Sequence, residues 1–420
     1  MADSGVTHLL KTRRFLPLFV TQFLGAMNDN VFKNALVILL LYRVAEQAGL
    51  NGQILVTIAA GIFILPFFLF SATAGQIADK FEKSALIRRI KLAEIVIMGL
   101  AVAALFAGDT WFLLGVLFLM GSQSAFFGPL KYAILPDHLA EDELIAGNAL
   151  IEAGTFLAIL VGTVIGGLLV LQANGIVWIA ATVLTLAVIG WGGSRFIPLA
   201  APADPGLRIA GNFLSETWRI VARAAEQRSV FLSILGISWF WLVGATFLAQ
   251  FPALARDVLG GDATVVTLFL TVFSVGIGLG SLLCNRLLKG RIDARYAPLG
   301  ALGISVFMLD LYGSVAGLAP PDTLMNAGTF VADVGNWRIL ADLLLVSVSG
   351  GLYIVPLYAL VQARSDQAER SRMVAANNII NALFMVAGSL LAAALLGAGA
   401  SVPALFLIVA CANFFVVVYI

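Results

Sequence analysis

The chain is 420 residues long, 60% hydrophobic and only 12% charged, against about 25% charged residues in a soluble domain, so it reads as a polytopic membrane protein. A net charge of +1 without a basic patch gives no reason to expect nucleic acid. Two cysteines (Cys284, Cys411) and two distant histidines (His8, His138) supply no disulfide framework, metal cluster or cofactor site.

Residues 15–43 form a first apolar span interrupted midway by Asn28, Asp29, Asn30, Lys33 and Asn34. An acid and a base near the bilayer centre are costly unless they pair or face a bundle interior. Asp29 and Lys33 lie four residues apart, share a helix face and can reach each other. Two readings stay open: a neutralised pair that locks the helix to its neighbours, or a face lining a substrate path. Lys11, Arg13 and Arg14 precede the span as in a signal peptide, but the run is too long and too polar at its centre. It reads as an uncleaved first helix.

Eleven further spans follow, roughly at 52–78, 86–108, 111–135, 143–171, 175–197, 229–254, 262–288, 296–318, 337–362, 371–397 and 401–420. With both termini in the cytoplasm, 21 of the 25 lysines and arginines fall in cytoplasmic segments or span ends, Lys83 and Lys91 among them. Arg43, Arg256 and Arg338 fall outside and Lys33 within the membrane, a strong positive-inside bias. The longest cytoplasmic connection divides the chain into a six-helix bundle at 1–197, a linker at 198–228 and a second six-helix bundle at 229–420. Within the linker, Phe213, Leu214, Trp218 and Val221 recur at helical spacing, which predicts a helix lying in the cytoplasmic interface.

The halves repeat. Pro129–Ala133 (PLKYA) is echoed by Pro356–Ala359 (PLYA), and Ala146–Glu152 (AGNALIE) by Ala375–Asn381 (AANNIIN). Asn148 then matches Asn377, and Glu152 matches Asn381, as two parallel halves would leave them.

Gly75-Gln-Ile-Ala-Asp79-Lys-Phe-Glu-Lys83 ends the second span. It resembles the cytoplasmic loop motif of the major facilitator superfamily, with Glu82 where that motif has its second glycine. The glycine lets the helix end approach a neighbour, and the acid can pair with a base or accept bonds from a helix N-terminus. Gly75, Asp79 and Lys83 are therefore expected to form a gate or latch. The corresponding loop after span eight has Cys284 in place of the acid.

The remaining polar groups in spans one, four, five, seven, ten and eleven are the candidate substrate-binding residues: Gln22, Asn28, Asp29, Asn30, Lys33, Gln123, Lys131, Tyr132, Asn148, Glu152, Trp239, Gln250, Tyr358, Asn377 and Asn381. A structural Lys131–Glu152 pair is an open reading beside this one, and for Asn377, Asn378 and Asn381 interhelical bonding is the favoured reading. Asp310 and Asp342 fit positions near the outer surface. Gly162-x-x-x-Gly166 and Gly276-x-x-x-Gly280 predict close helix packing at the interface between the halves. Neither a P-loop nor a Rossmann or triad signature is present, so an enzyme is not expected.

The first span, together with GPLKYAIL…AGNALIEAGTF and GATFLAQFPALARDVLGG…SVGIGLGSLLCNRL, resembles the bacterial lysophospholipid transporters of the major facilitator superfamily along essentially the whole chain. The resemblance implies an all-α fold of twelve transmembrane helices in two pseudo-symmetric six-helix bundles. It implies transfer of lysophosphatidylethanolamine-type lipids from the outer to the inner leaflet of the bacterial inner membrane, for re-acylation. The version it is closest to forms the N-terminal part of fusions with an acyltransferase and an acyl-carrier-protein ligase. Such an enzyme, fused or associated, is thus an expected partner beside the lysolipid and the membrane lipids. Asp29 matches the family's span-one acid, Lys131 the lysine of its P-x-K-Y segment, and Asn148 and Glu152 the following N-x-x-x-E. Where the stand-alone transporters carry a span-seven arginine, this chain has Leu248 or its neighbours, with Gln250 nearby. An ion-coupled exporter of drugs or small amphiphiles, with Asp29 or Glu152 carrying the proton, is the alternative. A membrane anchor for an acyltransferase is the third reading, although an anchor has no reason to bury charges.

Overall fold

The computed structural model describes residues 6–40, 52–318 and 324–419; the end of the first predicted span and Arg43 lie outside them. Among the described residues, twelve long helices run in chain order: α1 Leu16–Leu39, α2 Gly52–Lys80, α3 Lys83–Ala107, α4 Thr110–Ala133, α5 Leu144–Val170, α6 Gly175–Ser194, α7 Arg228–Ala253, α8 Ala263–Leu288, α9 Ala297–Val315, α10 Trp337–Arg364, α11 Arg370–Gly397 and α12 Val402–Tyr419. Ten of the described helices are long and apolar enough to cross a membrane. Polar α1 and the shorter α12 complete the set. The apolar runs set the helix lengths, and local chemistry sets the ends. Glu82 caps α3 by accepting from the backbone N–H of Ser84 (2.8 Å) and Ala85 (2.7 Å). Gly108, at φ 66°, terminates the same helix, and Asp109 then caps α4 through Phe112 N–H.

Helix packing repeats after six helices. In the first half α1 lies on α5, α2 on α4 and α3 on α6; in the second α7 lies on α11, α8 on α10 and α9 on α12. The halves meet where α2 packs on α11 and α5 on α8. The two glycine motifs serve the first kind of contact, not the second as expected. A Cβ at Gly162 would lie 2.9 Å from Asn30 Cβ, and one at Gly166 3.1 Å from Val31 Cα, both on α1. A Cβ at Gly276 or Gly280 would lie 2.9 Å from Ser347 Cβ or Val348 Cα of α10. Spacing of small residues announces close packing but does not name the neighbour.

One charge assigned to the cytoplasmic end belongs elsewhere. Lys91 is 1% exposed and lies two turns into α3, inside the first half. The linker helix Phe213–Glu226 packs on α2, α7 and α11. Its buried face is Glu216, Thr217, Ile220 and Ala224, whereas Leu214 and Trp218 stand outward, as suits an interfacial helix.

Candidate functional site

The site is built around the middle of α1. Asp29 does not pair with Lys33. It accepts a hydrogen bond from Ser124 Oγ of α4 (2.7 Å), while Lys33 Nζ lies over the Phe63 ring of α2, 5.0 Å from its centre. Among the described residues, neither Lys33 nor Lys131 forms an ion pair. Lys131 sits over the ring of Tyr132 at 4.7 Å, within electrostatic reach of both Asp29 and Glu152. The Lys131–Glu152 pair is therefore not formed; Glu152 Oε1 instead accepts from Tyr132 Oη.

Behind Asp29 lies a cluster whose charged members, Lys91 and Glu94, are absent from the sequence-derived candidates. Glu94 of α3, 2% exposed, accepts from Lys91 Nζ (2.6 Å), Gln123 Nε2 (3.1 Å) and Asn28 Nδ2 (3.0 Å). Lys91 also lies over Phe127, 4.6 Å from its centre, and occupies the space a side chain at Gly25 would need. An acid three residues beyond a lysine, inside a run apolar enough to span, was the available signal. It was masked by Arg88 and Arg89, which make Lys91 read as the end of a basic loop.

Closer to the basic ends of the helices, the halves join through an aromatic floor. The rings of Tyr132 (α4) and Tyr358 (α10) are 4.3 Å apart at 7°. Trp241 Nε1 donates to Tyr358 Oη (3.1 Å), and Trp241 stacks on Phe156 of α5. Below the floor, Asn148 and Gln362, both 0% exposed, exchange two hydrogen bonds of 2.7 and 2.9 Å between α5 and α10. Asp79, also 0% exposed, accepts from the N–H of Ser371 (2.9 Å) and Arg372 (3.2 Å) at the start of α11, and from Arg372 Nε (2.9 Å). A Cβ at Gly75 would come within 2.7 Å of Ala375 Cβ. Lys83, 2% exposed, pairs with Asp137 (2.8 Å), which Arg370 of the other half approaches at 3.5 Å. Among the described residues, the polar contacts between the halves all lie toward this end.

Several expected path residues face elsewhere. Gln22 is buried between α1 and α5, accepting from Thr155 (3.2 Å). Asn28 turns to Glu94, and Asn30 is buried against α5, its amide on Ala26 O. Trp239 donates to Asn413 of α12 (2.7 Å); it is Trp241 that reaches the meeting of the halves. Asn381 accepts from Ser238 of α7 (2.6 Å) as interhelical bonding, whereas Asn377 is buried close to Tyr358. Gln250 is half-buried near the far end of α7. Asp310 pairs with Arg338 near the far ends of α9 and α10, and Asp342 is buried beside them. Asp29 and Lys33 remain at the middle of α1, and Lys131, Tyr132, Glu152, Tyr358 and Asn377 remain around the aromatic floor, with Lys131 within electrostatic reach of Asp29.

Comparison with known proteins agrees with this architecture. The Major Facilitator Superfamily model matches residues 18–331. The chain is 29% identical over 366 residues to a protein of Pectobacterium carotovorum called lysophospholipid transporter LplT, covering 84% of this chain and 79% of that one. It is 28% identical over 376 residues to the protein of that name from Photorhabdus laumondii, covering 87% and 84%. Among solved structures, human MFSD10, titled an organic anion transporter, superposes with a TM-score of 0.75 at 14% identity, covering 96% of this chain and 99% of that one. The Escherichia coli fucose:proton symporter superposes with a TM-score of 0.68 at 15% identity, covering 96% and 97%. At such identities the structures speak for the fold alone. The family match and the twelve-helix architecture together identify the chain as a multi-pass membrane transporter, not an enzyme, belonging to the Major Facilitator Superfamily.

Proposed function

We propose that this chain moves lysophospholipids, lysophosphatidylethanolamine-type lipids foremost, from the outer to the inner leaflet of a bacterial inner membrane. The relatives' name supports the substrate class. The observation that carries the reading is that Asp29 and Lys33 share a face of α1 without pairing, with Lys131 unpaired nearby. An acid and bases held apart suit a zwitterion: Asp29 attracts the headgroup ammonium, and Lys33 or Lys131 its phosphate. The acyl tail stays in apolar surroundings, so only the headgroup needs a polar track through about 30 Å of hydrocarbon. In this reading the basic end is cytoplasmic, as are both termini. The halves 1–197 and 229–420 rock about the site, with Gly75, Asp79 and Lys83 in the gate that closes the cytoplasmic side. A fused or associated acyltransferase then takes the delivered lysolipid.

The test uses purified protein in sealed liposomes, with labelled lysophosphatidylethanolamine added outside and albumin extraction following its loss from the outer leaflet. Protein-dependent protection, slowed at least tenfold in Asp29→Asn, is expected. No protection above empty liposomes overturns the lysolipid reading. A second reading, an ion-coupled exporter of small amphiphiles, is favoured by the buried Oε2 of Glu152, which has no hydrogen-bond partner and could carry a proton. Under that reading, an imposed proton gradient drives drug efflux and leaves lysolipid protection at background.

A further inference from the structure

We propose that the buried Lys91–Glu94 pair of α3 is a positioning device that holds Asp29 away from Lys33, through Gln123 and Ser124, and so keeps a receptor for a zwitterion open. The inference rests on the lysolipid reading for its ligand, but its geometry stands independently.

Two ions removed from water in the middle of a helix bundle are poor stabilisers, and apolar side chains of the same volume commonly serve as well or better. Lys91 and Glu94 are nevertheless 1% and 2% exposed, and Gly25 of α1 leaves the lysine its space. Their bonding points toward the site. Glu94 receives three donors, Lys91, Gln123 and Asn28, so both its oxygens are acceptors. This fixes the Gln123 amide with its NH2 toward Glu94 and its carbonyl toward Ser124 (3.2 Å). Ser124 has one hydroxyl proton, which it shares between Gln123 Oε1 at 3.2 Å and, as the shorter branch, Asp29 Oδ2 at 2.7 Å, so the Gln123 carbonyl helps hold the hydroxyl in the rotamer that serves Asp29. Lys91, Glu94, Gln123, Ser124 and Asp29 are thus joined across α3, α4 and α1, with the Ser124 hydroxyl shared at the last link.

Its consequence is seen on α1. An acid four residues before a lysine is the favoured arrangement for an intrahelical ion pair, and low dielectric would strengthen that pair. Here Asp29 turns to α4, and Lys33 lies over Phe63 of α2. Were the two to pair, each would neutralise the other, and neither an ammonium nor a phosphate would find a free partner. The α3 pair lies behind Asp29 and touches no substrate; it acts through Ser124.

Two readouts on the full chain test this. In the first, Lys33 is modified with a small lipophilic amine-reactive aryl fluoride and followed by peptide mass spectrometry, with no lipid substrate needed. Ser124→Ala, Gln123→Leu and the paired Lys91→Met/Glu94→Gln variant are expected to reduce Lys33 labelling several-fold. Labelling should return when Asp29→Asn is added, and Ser124→Thr should behave like the wild type. In the second, the liposome assay compares lysophosphatidylethanolamine with lysophosphatidic acid, which lacks the ammonium. Ser124→Ala should raise the half-saturating concentration of the zwitterion about tenfold with little change in maximal rate, and shrink its advantage over the bare phosphate head. Unchanged Lys33 labelling in Ser124→Ala, or loss that Asp29→Asn does not reverse, overturns the proposal. So does equal loss for both headgroups. Ser124→Ala alone suffices if the α3 double variant does not fold. If the wild type protects no lysolipid, the substrate reading falls while Lys33 labelling still decides the positioning.

Discussion

Tyr132 and Tyr358 occupy matching places in the repeated segments PLKYA and PLYA, and they lie face to face, 4.3 Å and 7° apart. The pseudo-twofold relation of the halves thus passes close to one aromatic stack. The equivalence stops at the hydroxyls. Tyr132 donates to the carboxylate Glu152, while Tyr358 accepts from Trp241. Tyr358→Ala removes the stack, worth about 0.5–1.5 kcal/mol beyond area burial, and should loosen the junction at the basic end. A Ser371→Cys reporter, buried in the wild type, placed in a chain with Cys284 and Cys411 replaced, should then react faster with an impermeant thiol reagent supplied from that side. Tyr358→Phe, which keeps the stack, should change this rate much less.

The Asn148–Gln362 exchange makes a second prediction. Asn148→Ala leaves the Gln362 amide buried without its partner, at about 1–3 kcal/mol. The double Asn148→Leu/Gln362→Leu change removes both polar groups and should be milder than the two single changes added together. A double-mutant cycle on thermal stability in detergent measures the coupling.

Gly75 admits α11 only because it has no side chain. A Cβ there would stand 2.7 Å from Ala375 Cβ and 3.0 Å from Arg372 Cα. Gly75→Val should hold α2 and α11 apart, expose the Ser371→Cys reporter and slow the proposed lysolipid transport at least tenfold in the liposome assay. Asp79→Asn keeps the side-chain volume but weakens the charge-assisted bond to Arg372, by about 1.5–3 kcal/mol. It should shift the reporter in the same direction by less.

Glu82 gives a pH dependence. Burial alone would raise its carboxyl, but hydrogen bonds from the N–H groups of Ala200, Ser84 and Ala85 outweigh it and hold the group below its ordinary 4.5. A depressed carboxyl stabilises the folded state above the unfolded value and loses that contribution as pH falls through the folded one. Glu82→Gln should therefore lower the melting temperature at pH 7, by roughly 1 kcal/mol of capping energy. The gap to the wild type should narrow below about pH 4.5.

The spans were legible because a bilayer demands long apolar helices, and the ends that lie within the described residues fall within a turn of those read from hydropathy. The Asp79 contact with the start of α11 follows the chemistry expected of an acid beside a helix N-terminus, although its partner helix could not be read from the loop. The interior of the site was less legible, for a specific reason. Hydropathy tells which residues lie at membrane depth but not which way each faces. Gln22, Asn28 and Asn30 lie on α1 with Asp29 and turn instead to α5 or α3. Trp239 and Trp241 are two residues apart, and only the second reaches the floor. Lys91 was hidden by its basic neighbours. Its buried partner Glu94 is held in turn by Gln123 and Asn28, so the cluster draws on three different helices.

The linker helix Phe213–Glu226 touches both halves at once. It packs on α2 of the first and on α7 and α11 of the second, and Arg223 reaches Glu369 just before α11 at 3.0 Å. On its other side Trp218, 77% exposed, and Leu214 are left to the headgroup layer. If the halves rock as proposed, a strap fastened to both and lying along the lipid cannot shift without displacing that lipid. In that cycle the crowding and tension of one leaflet would act as a mechanical load, present before any substrate arrives.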